Sequence, residues 1–185
     1  GLPFDVVGRR HAKVHVRFDY DDESDPGPYP FDARTPIEGG SDRHALIVQR
    51  GTCRLYELFG AAWNDGDPRA GSGAIFDLDT NRLRPETWTS ADAAGLPILA
   101  GLVRWDEVRA GSIRHAIRFT VSCTTDGYVW PARHEAGADL RGLVAQAFRG
   151  VDRFAHLAEG PAFDDGDRFL GEFAAPQLVQ QAARG

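Results

Sequence analysis

One stretch in the first third of the chain restricts the fold more than any other. Two mainly apolar runs, residues 44–50 and 53–59, flank the pair Gly51-Thr52. Runs rich in β-branched and aromatic residues, separated by two turn-forming residues, are typical of a β-hairpin. The sequence therefore predicts two antiparallel strands joined by a tight turn at this place.

The same turn predicts which residues of the hairpin face each other. Val48 is expected opposite Leu55, and Leu46 opposite Glu57, if the turn consists of two residues. Because side chains alternate between the faces of a sheet, His44 and Glu57 would share one apolar face as diagonal neighbours. An imidazole and a carboxylate within reach of each other can divide general acid and base roles. The hairpin thus predicts a His44–Glu57 pair.

Several other segments show the alternation or composition of strands. Further strands are predicted at residues 13–18, 74–78, 113–123 and 128–131, with a proline-rich acidic loop at 19–30 and irregular or turn structure between residues 88 and 111. The spacing of apolar residues becomes helical from Asp139 to Ala158, and a short final helix is predicted after residue 176.

These patterns predict a β-rich α+β fold. Its core would be an antiparallel sheet, or a sandwich or jelly-roll-like arrangement, formed by residues 1–137. A helical segment, residues 138–185, would pack on that core. Gly1 is expected to be the start of a processed or trimmed chain, because the sequence contains no methionine.

Charge and composition exclude several classes of protein. The net charge is −6, and the 21 basic residues form no cluster, so general nucleic-acid binding and attachment to anionic membranes are not expected. No apolar run approaches the roughly 20 residues that span a bilayer. We therefore expect a globular protein with a carbohydrate or another small molecule as its partner.

Three further residues are candidates for a catalytic role beside the hairpin pair. His115 and His134, like His44, each follow an arginine, and Asp77 alternates with apolar residues in a predicted strand. The first hypothesis is that these side chains converge with Glu57 in a cleft at one end of the sheet. The alternative is that the histidines are structural and bind backbone groups at the rim of the sheet, because a buried imidazole needs a partner.

The aromatic residues suggest a ligand-binding surface. The candidate substrate-binding residues are Trp63, Trp88, Trp105, Trp130 and Arg114. Indole rings in loops are typical of sugar-binding clefts, where they stack on the CH surfaces of pyranose rings. They are also typical of the rim of any core, because the indole N–H needs a polar partner.

No metal and no cofactor are expected. The histidines lack the short spacings of zinc sites, and the acidic loop lacks the glycine and glutamate of a calcium-binding EF-hand loop. Cys53 and Cys123 are able to form a disulfide if the chain is exported. Cys53 as a nucleophile is the other hypothesis.

Six sequence motifs resemble those of a family of uncharacterised, mostly exported bacterial proteins. They are DRHALIV at residues 42–48, LYELF at 55–59, GSGAIFDL at 71–78, WTSADAAGLPI at 88–98, GLVR at 101–104 and VWPARH at 129–134. The resemblance extends over about two thirds of the chain. It implies a secreted protein with a β-rich fold, and it carries no activity over to this chain.

Together these features lead to three hypotheses about function. The first is an exported carbohydrate-active protein, a glycoside hydrolase or polysaccharide lyase that uses the His44–Glu57 pair. The second is a non-catalytic carbohydrate-binding or cell-surface interaction module whose histidines are structural. The third is a hydrolase that depends on Cys53.

Overall fold

The computed structural model describes residues 1–118 and 127–135. The strands are β1 (Phe4–Val7), β2 (Arg17–Phe18), β3 (Ala45–Gln49), β4 (Arg54–Phe59), β5 (Ala62–Asn64), β6 (Asp67–Ala70) and β7 (Ser72–Asp77). The one helix of these ranges, α1, spans Trp105–Ala110, and 3₁₀ turns occupy Asp21–Glu23 and Leu99–Gly101. The predicted β-rich α+β class is confirmed.

The strands form two sheets of mixed direction. The first has the order β1-β3-β4-β7, in which β1 runs parallel to β3 and the other neighbours are antiparallel. The second has the order β2-β6-β5, with β2 parallel to β6. The parallel pairs arise because long connections bring β1 and β2 beside strands that are distant in sequence. The pairs β3–β4, β4–β7 and β5–β6 are antiparallel, as the sequence predicted for the core.

The predicted hairpin is present as β3 and β4, with the predicted register. Leu46 lies opposite Glu57 and Val48 opposite Leu55, and the turn lies between Gln49 and Arg54. A shift of one residue would have exchanged the two faces of both strands. The local alternation and the turn were sufficient to define this part of the fold.

The first sheet is covered on both faces, which explains why β3 is buried along its whole length. Its front face carries Leu46, Val48 and Leu55. Residues 88–102, called here the covering segment, pack on this face through Ala91 and Ile98.

The back face of the first sheet carries Ile47, Tyr56 and Leu58. It packs against Tyr29 and Phe31, which are fully buried, and against side chains of the second sheet. Apolar side chains on both faces are thus removed from water, and this burial is the main source of stability of such a core.

Two predicted strands are wrong in the part that the structure describes. Residues 113–118 have no strand, because the Arg118 N–H donates to the carbonyl of Gly101 and its side chain binds Asp92. Residues 128–131 form a turn closed by the Ala132 N–H and the Val129 carbonyl. Residues 119–123 of the predicted strand 113–123 lie outside the described residues.

A second hairpin was missed, and a third predicted strand is shorter than expected. Strands β5 and β6 meet at Asp65-Gly66, both with positive φ, in a region where no strand was predicted. An Asp-Gly pair is a strong signal for such a turn. Of residues 13–18, only β2 is a strand, and Val14 forms a single bridge with Tyr29.

The predicted helical stripe, the final helix and Cys123 lie outside the described residues. The division at residue 137 therefore stays a prediction. In the ranges 1–118 and 127–135, no helix has the length and apolar character needed to cross a bilayer.

Candidate functional site

His44 is a buried anchor at the start of β3. Its Nδ1 lies 2.5 Å from Oε2 of Glu38, and its Nε2 lies 3.1 Å from the carbonyl oxygen of Ala91. Only 5 % of the residue is exposed. Both ring nitrogens are therefore occupied, and the imidazole ties the loop before β3 to the covering segment.

Glu57 is fully buried on the front face. Its carboxylate accepts hydrogen bonds of 2.9–3.0 Å from the main-chain N–H groups of Ile98 and Leu99. Burial raises the pKa of this carboxyl from 4.5 to about 7, although the two N–H groups act in the opposite direction. Glu57 thus holds the 3₁₀ turn of the covering segment against the sheet.

Asp92 and Arg118 form a second buried polar group close to Glu57. Nε of Arg118 donates to Oδ2 of Asp92 at 2.6 Å. Burial raises the pKa of Asp92, while the charge of Arg118 lowers it. The charge of Asp92 also raises the pKa of Glu57. No sequence pattern indicated this ion pair, because its two partners come from segments that meet only in the fold.

The predicted pairing of His44 with Glu57 is wrong, although both residues are at the front face as expected. Each is bonded to other groups: His44 to Glu38 and Ala91, and Glu57 to main-chain N–H groups. The reason is that the covering segment lies on this face and supplies its own backbone donors and acceptors. Sequence alternation identified the face but not what covers it.

Asp77 lies away from this group of side chains. It is the last residue of β7 and faces Arg54, with 3.4 Å between Nη2 and Oδ2. It also accepts a hydrogen bond from the N–H of Asp79. Glu57 lies three positions after Arg54 in β4, which corresponds to about 10 Å along a strand. Asp77 therefore does not join a common site.

The other two histidines have local partners of their own. His115 Nδ1 bonds the carbonyl of Ala116 at 2.7 Å, and its Nε2 lies 2.9 Å from Oε1 of Glu107. His134 Nδ1 bonds the carbonyl of Ala93 at 3.0 Å. The predicted convergence of three histidines on Glu57 is not found. The observed contacts agree better with the alternative hypothesis, in which the histidines are structural and bind backbone groups.

The four tryptophans divide into two pairs. Trp63 is half-buried and packs edge-on against Phe31, with ring centroids 5.5 Å apart. Trp88 is half-buried, and the guanidinium carbon of Arg84 lies over it, 5.4 Å from the centroid of the Trp88 ring. Trp105 and Trp130 are each 74 % exposed. Of the predicted substrate-binding residues, Trp105, Trp130 and Arg114 are therefore exposed and accessible to a large ligand.

Polar groups border both exposed indole rings along the chain. Trp105 opens α1 between Arg104 and Asp106, whose side chain is 65 % exposed. Trp130 is preceded by Tyr128, whose hydroxyl donates to Glu86. An exposed aromatic ring beside groups that bind hydroxyls is the usual composition of a polar ligand surface.

A small apolar pocket opens beside α1. It has a volume of about 60 Å³ and is lined by side chains of β1 and β4, of Leu78 after β7 and of residues 99–104. Arg104 is its one charged lining residue. The pocket is small and its lining is almost entirely apolar, which suits a short aliphatic group.

No metal centre was found in the described part of the chain, where no three His, Cys, Asp or Glu side chains are grouped to hold an ion. Cys53 lies half-buried in the turn of the first hairpin, with a φ of 47°. Since Cys123 is outside the described ranges, the disulfide between them stays a prediction. Comparisons with protein-family models, curated proteins and solved structures found no match to the chain.

Proposed function

We propose that this chain is a secreted, non-catalytic carbohydrate-binding protein. The observation that carries the proposal is the exposure of Trp105 and Trp130, which each keep about three quarters of their surface in water. Exposing a large aromatic side chain forgoes the free energy that its burial would contribute. A flat ring held at the surface instead suits stacking on the CH groups of a pyranose.

The bonding of the acidic and basic residues supports binding rather than catalysis. A general base must come within hydrogen-bond distance of the substrate. Glu57 is fully buried and holds main-chain N–H groups, and both nitrogens of His44 are occupied. A raised pKa at Glu57 therefore reflects burial under the covering segment, and these residues stabilise the scaffold that presents the tryptophans.

Charged and hydroxyl groups next to the rings would complete such a surface. Asp106 follows Trp105, and Glu86 binds both Tyr128 and Arg133 close to Trp130 in the chain. Carboxylate and guanidinium groups form directional hydrogen bonds to sugar hydroxyls, which adds selectivity to the stacking.

Affinity gel electrophoresis in a panel of neutral and acidic polysaccharides tests this function. We expect retardation by one polymer, and at least about tenfold weaker binding for the double variant Trp105→Ala/Trp130→Ala, since stacking contributes on the order of 1 kcal/mol or more per ring. Tyr20→Ala is the matched control, because Tyr20 is an aromatic side chain that is 54 % exposed elsewhere on the surface.

Three results would contradict the proposal. One is the absence of retardation by every polymer in the panel. Another is equal retardation of the native protein and the double variant. The third is release of new reducing ends or unsaturated ends from the retained polymer, which would indicate a hydrolase or a lyase.

A further inference from the structure

The apolar pocket beside α1 has the lining of a site for a short aliphatic group. Its walls include Leu55, Leu99, Ala100 and Leu102, and its volume is about 60 Å³. A hydroxyl group placed there would lose its hydrogen bonds to water without gaining others. A methyl group would instead gain from leaving water. The pocket therefore selects against a bare sugar hydroxyl.

Arg104 adds one polar function to this lining. Its Nη2 donates to Oε1 of Glu107 at 2.8 Å, and its main-chain N–H donates to Oε2 at 2.9 Å. These bonds fix the side chain in position. Its Nε has no hydrogen-bond partner in the part of the chain that the structure describes. Nε is itself buried and lies 3.8 Å from Oδ1 of Asp106. The donor capacity left for an acceptor oxygen is therefore that of the terminal N–H groups of the guanidinium that Glu107 does not occupy.

The neighbouring residue supplies the stacking ring. Trp105 directly follows Arg104, so that their Cα atoms are about 3.8 Å apart. Its side chain is 74 % exposed. Arg104 thus lines the apolar pocket, and the next residue in the chain places an exposed indole at the start of α1.

We propose that this place binds the acetyl group of an acetylated sugar. The proposal rests on the carbohydrate-binding function given above and adds the chemical class of the ligand. The acetyl methyl enters the pocket, the carbonyl oxygen accepts a hydrogen bond from Arg104, and the pyranose ring stacks on Trp105. One acetyl group contains both the apolar part and the acceptor that this lining requires.

Matched pairs of polymers, which differ only in their acetyl groups, show how much the acetyl group contributes to binding. Acetylated xylan, compared with the same xylan after alkaline removal of its esters, tests O-linked acetyl groups. Chitin oligosaccharides, compared with chitosan oligosaccharides, test N-linked ones. We expect isothermal titration calorimetry to give a Kd about tenfold lower for the acetylated member of one pair, from one buried methyl and one hydrogen bond.

Filling the pocket tests its role directly. Ala100→Val places two additional methyl groups in the lining, and we expect the ratio of the two affinities to fall to about one. Ala33→Val makes the same change at an exposed turn position and is expected to keep the native ratio. Arg104→Gln is a second variant, which removes the guanidinium without filling the pocket. Thermal unfolding followed by circular dichroism checks that each variant is folded.

The outcomes separate this proposal from the one on which it rests. Equal affinity of the native protein for both members of both pairs overturns the acetyl site and leaves carbohydrate binding in place. A native ratio retained in both Ala100→Val and Arg104→Gln also overturns it. Failure to bind any polysaccharide in the panel overturns the proposed function, and the acetyl site with it.

Discussion

Gly73 is the second residue of β7, at the point where the back face of the first sheet meets Phe18 and Tyr29. A Cβ atom at this position would come within 2.6 Å of the Phe18 ring and 2.7 Å of the Tyr29 hydroxyl oxygen. Tyr29 is fully buried, and its hydroxyl donates to the carbonyl of Asp25. The close packing of these rings therefore depends on the missing side chain.

The substitution Gly73→Ala is expected to destabilise the fold by about 1–3 kcal/mol, because the rings must move away from the new methyl group. Urea denaturation followed by circular dichroism measures the change. Gly8→Ala is the matched control, since a Cβ there has no atom within 4 Å. Equal unfolding midpoints for the two variants would contradict the packing described here.

Arg84 joins three elements of the structure. Its Nη2 donates to the carbonyl of Glu23 at 2.8 Å and its Nε to the carbonyl of Thr89 at 2.6 Å, while Nη1 pairs with Asp25. The side chain is 4 % exposed. The acidic loop at residues 19–30 is consequently bonded, through Arg84, to the chain that leads into the covering segment.

Replacement of Arg84 by methionine is expected to lower the free energy of unfolding by about 3 kcal/mol, because breaking a buried ion pair leaves its partners unsatisfied. Arg34→Met is the control: Arg34 pairs with Asp32, but its side chain is 88 % exposed, and such pairs contribute little. Chemical denaturation of both variants checks the difference. Similar losses in the free energy of unfolding for the two variants would contradict the stabilising role of the buried Arg84 side chain.

The elements differ in how far the sequence predicted them. The β3–β4 hairpin and its register were predicted, because alternation and a short turn are local properties. Residues 113–118 were wrongly predicted as a strand, because alternation along the chain does not show whether a neighbouring strand pairs with it. Their polar groups bind Gly101 and Asp92 instead. The parallel pairing of β1 with β3 was missed, because it depends on a long connection.

The buried carboxyl of Glu57 makes the stability of the whole molecule depend on pH. Burial raises its pKa in the folded protein from 4.5 to about 7. The folded state therefore binds this proton more tightly than the unfolded state does. The resulting stability is fully present below about pH 4.5 and is lost as the pH rises through 7. The raised pKa of Asp92 acts in the same direction.

Removal of this charge by Glu57→Gln is expected to reduce the pH dependence. Between pH 4.5 and pH 8 the native protein should lose about 3 kcal/mol more stability than the variant, since one pKa unit corresponds to about 1.4 kcal/mol. Urea unfolding at several pH values measures how the free energy of unfolding changes with pH in both proteins; this change is the slope compared here. Asp22→Asn, at an exposed carboxyl, is expected to keep the native slope. Parallel slopes for the native protein and Glu57→Gln would contradict the buried-charge interpretation.

In the candidate site, some features follow from local sequence patterns and others depend on segments that are distant in the sequence. Local sequence patterns were enough to define the β-rich class, the β3–β4 hairpin and the face on which His44 and Glu57 lie, because these depend on the period of apolar residues and on one turn. The folded structure was needed to show that both side chains are bonded to other groups, and that Trp105 and Trp130 are exposed while Trp63 and Trp88 are half-buried. The partners of a polar group and the exposure of a ring depend on which distant segment packs on them, and alternation along a strand carries no information about that segment.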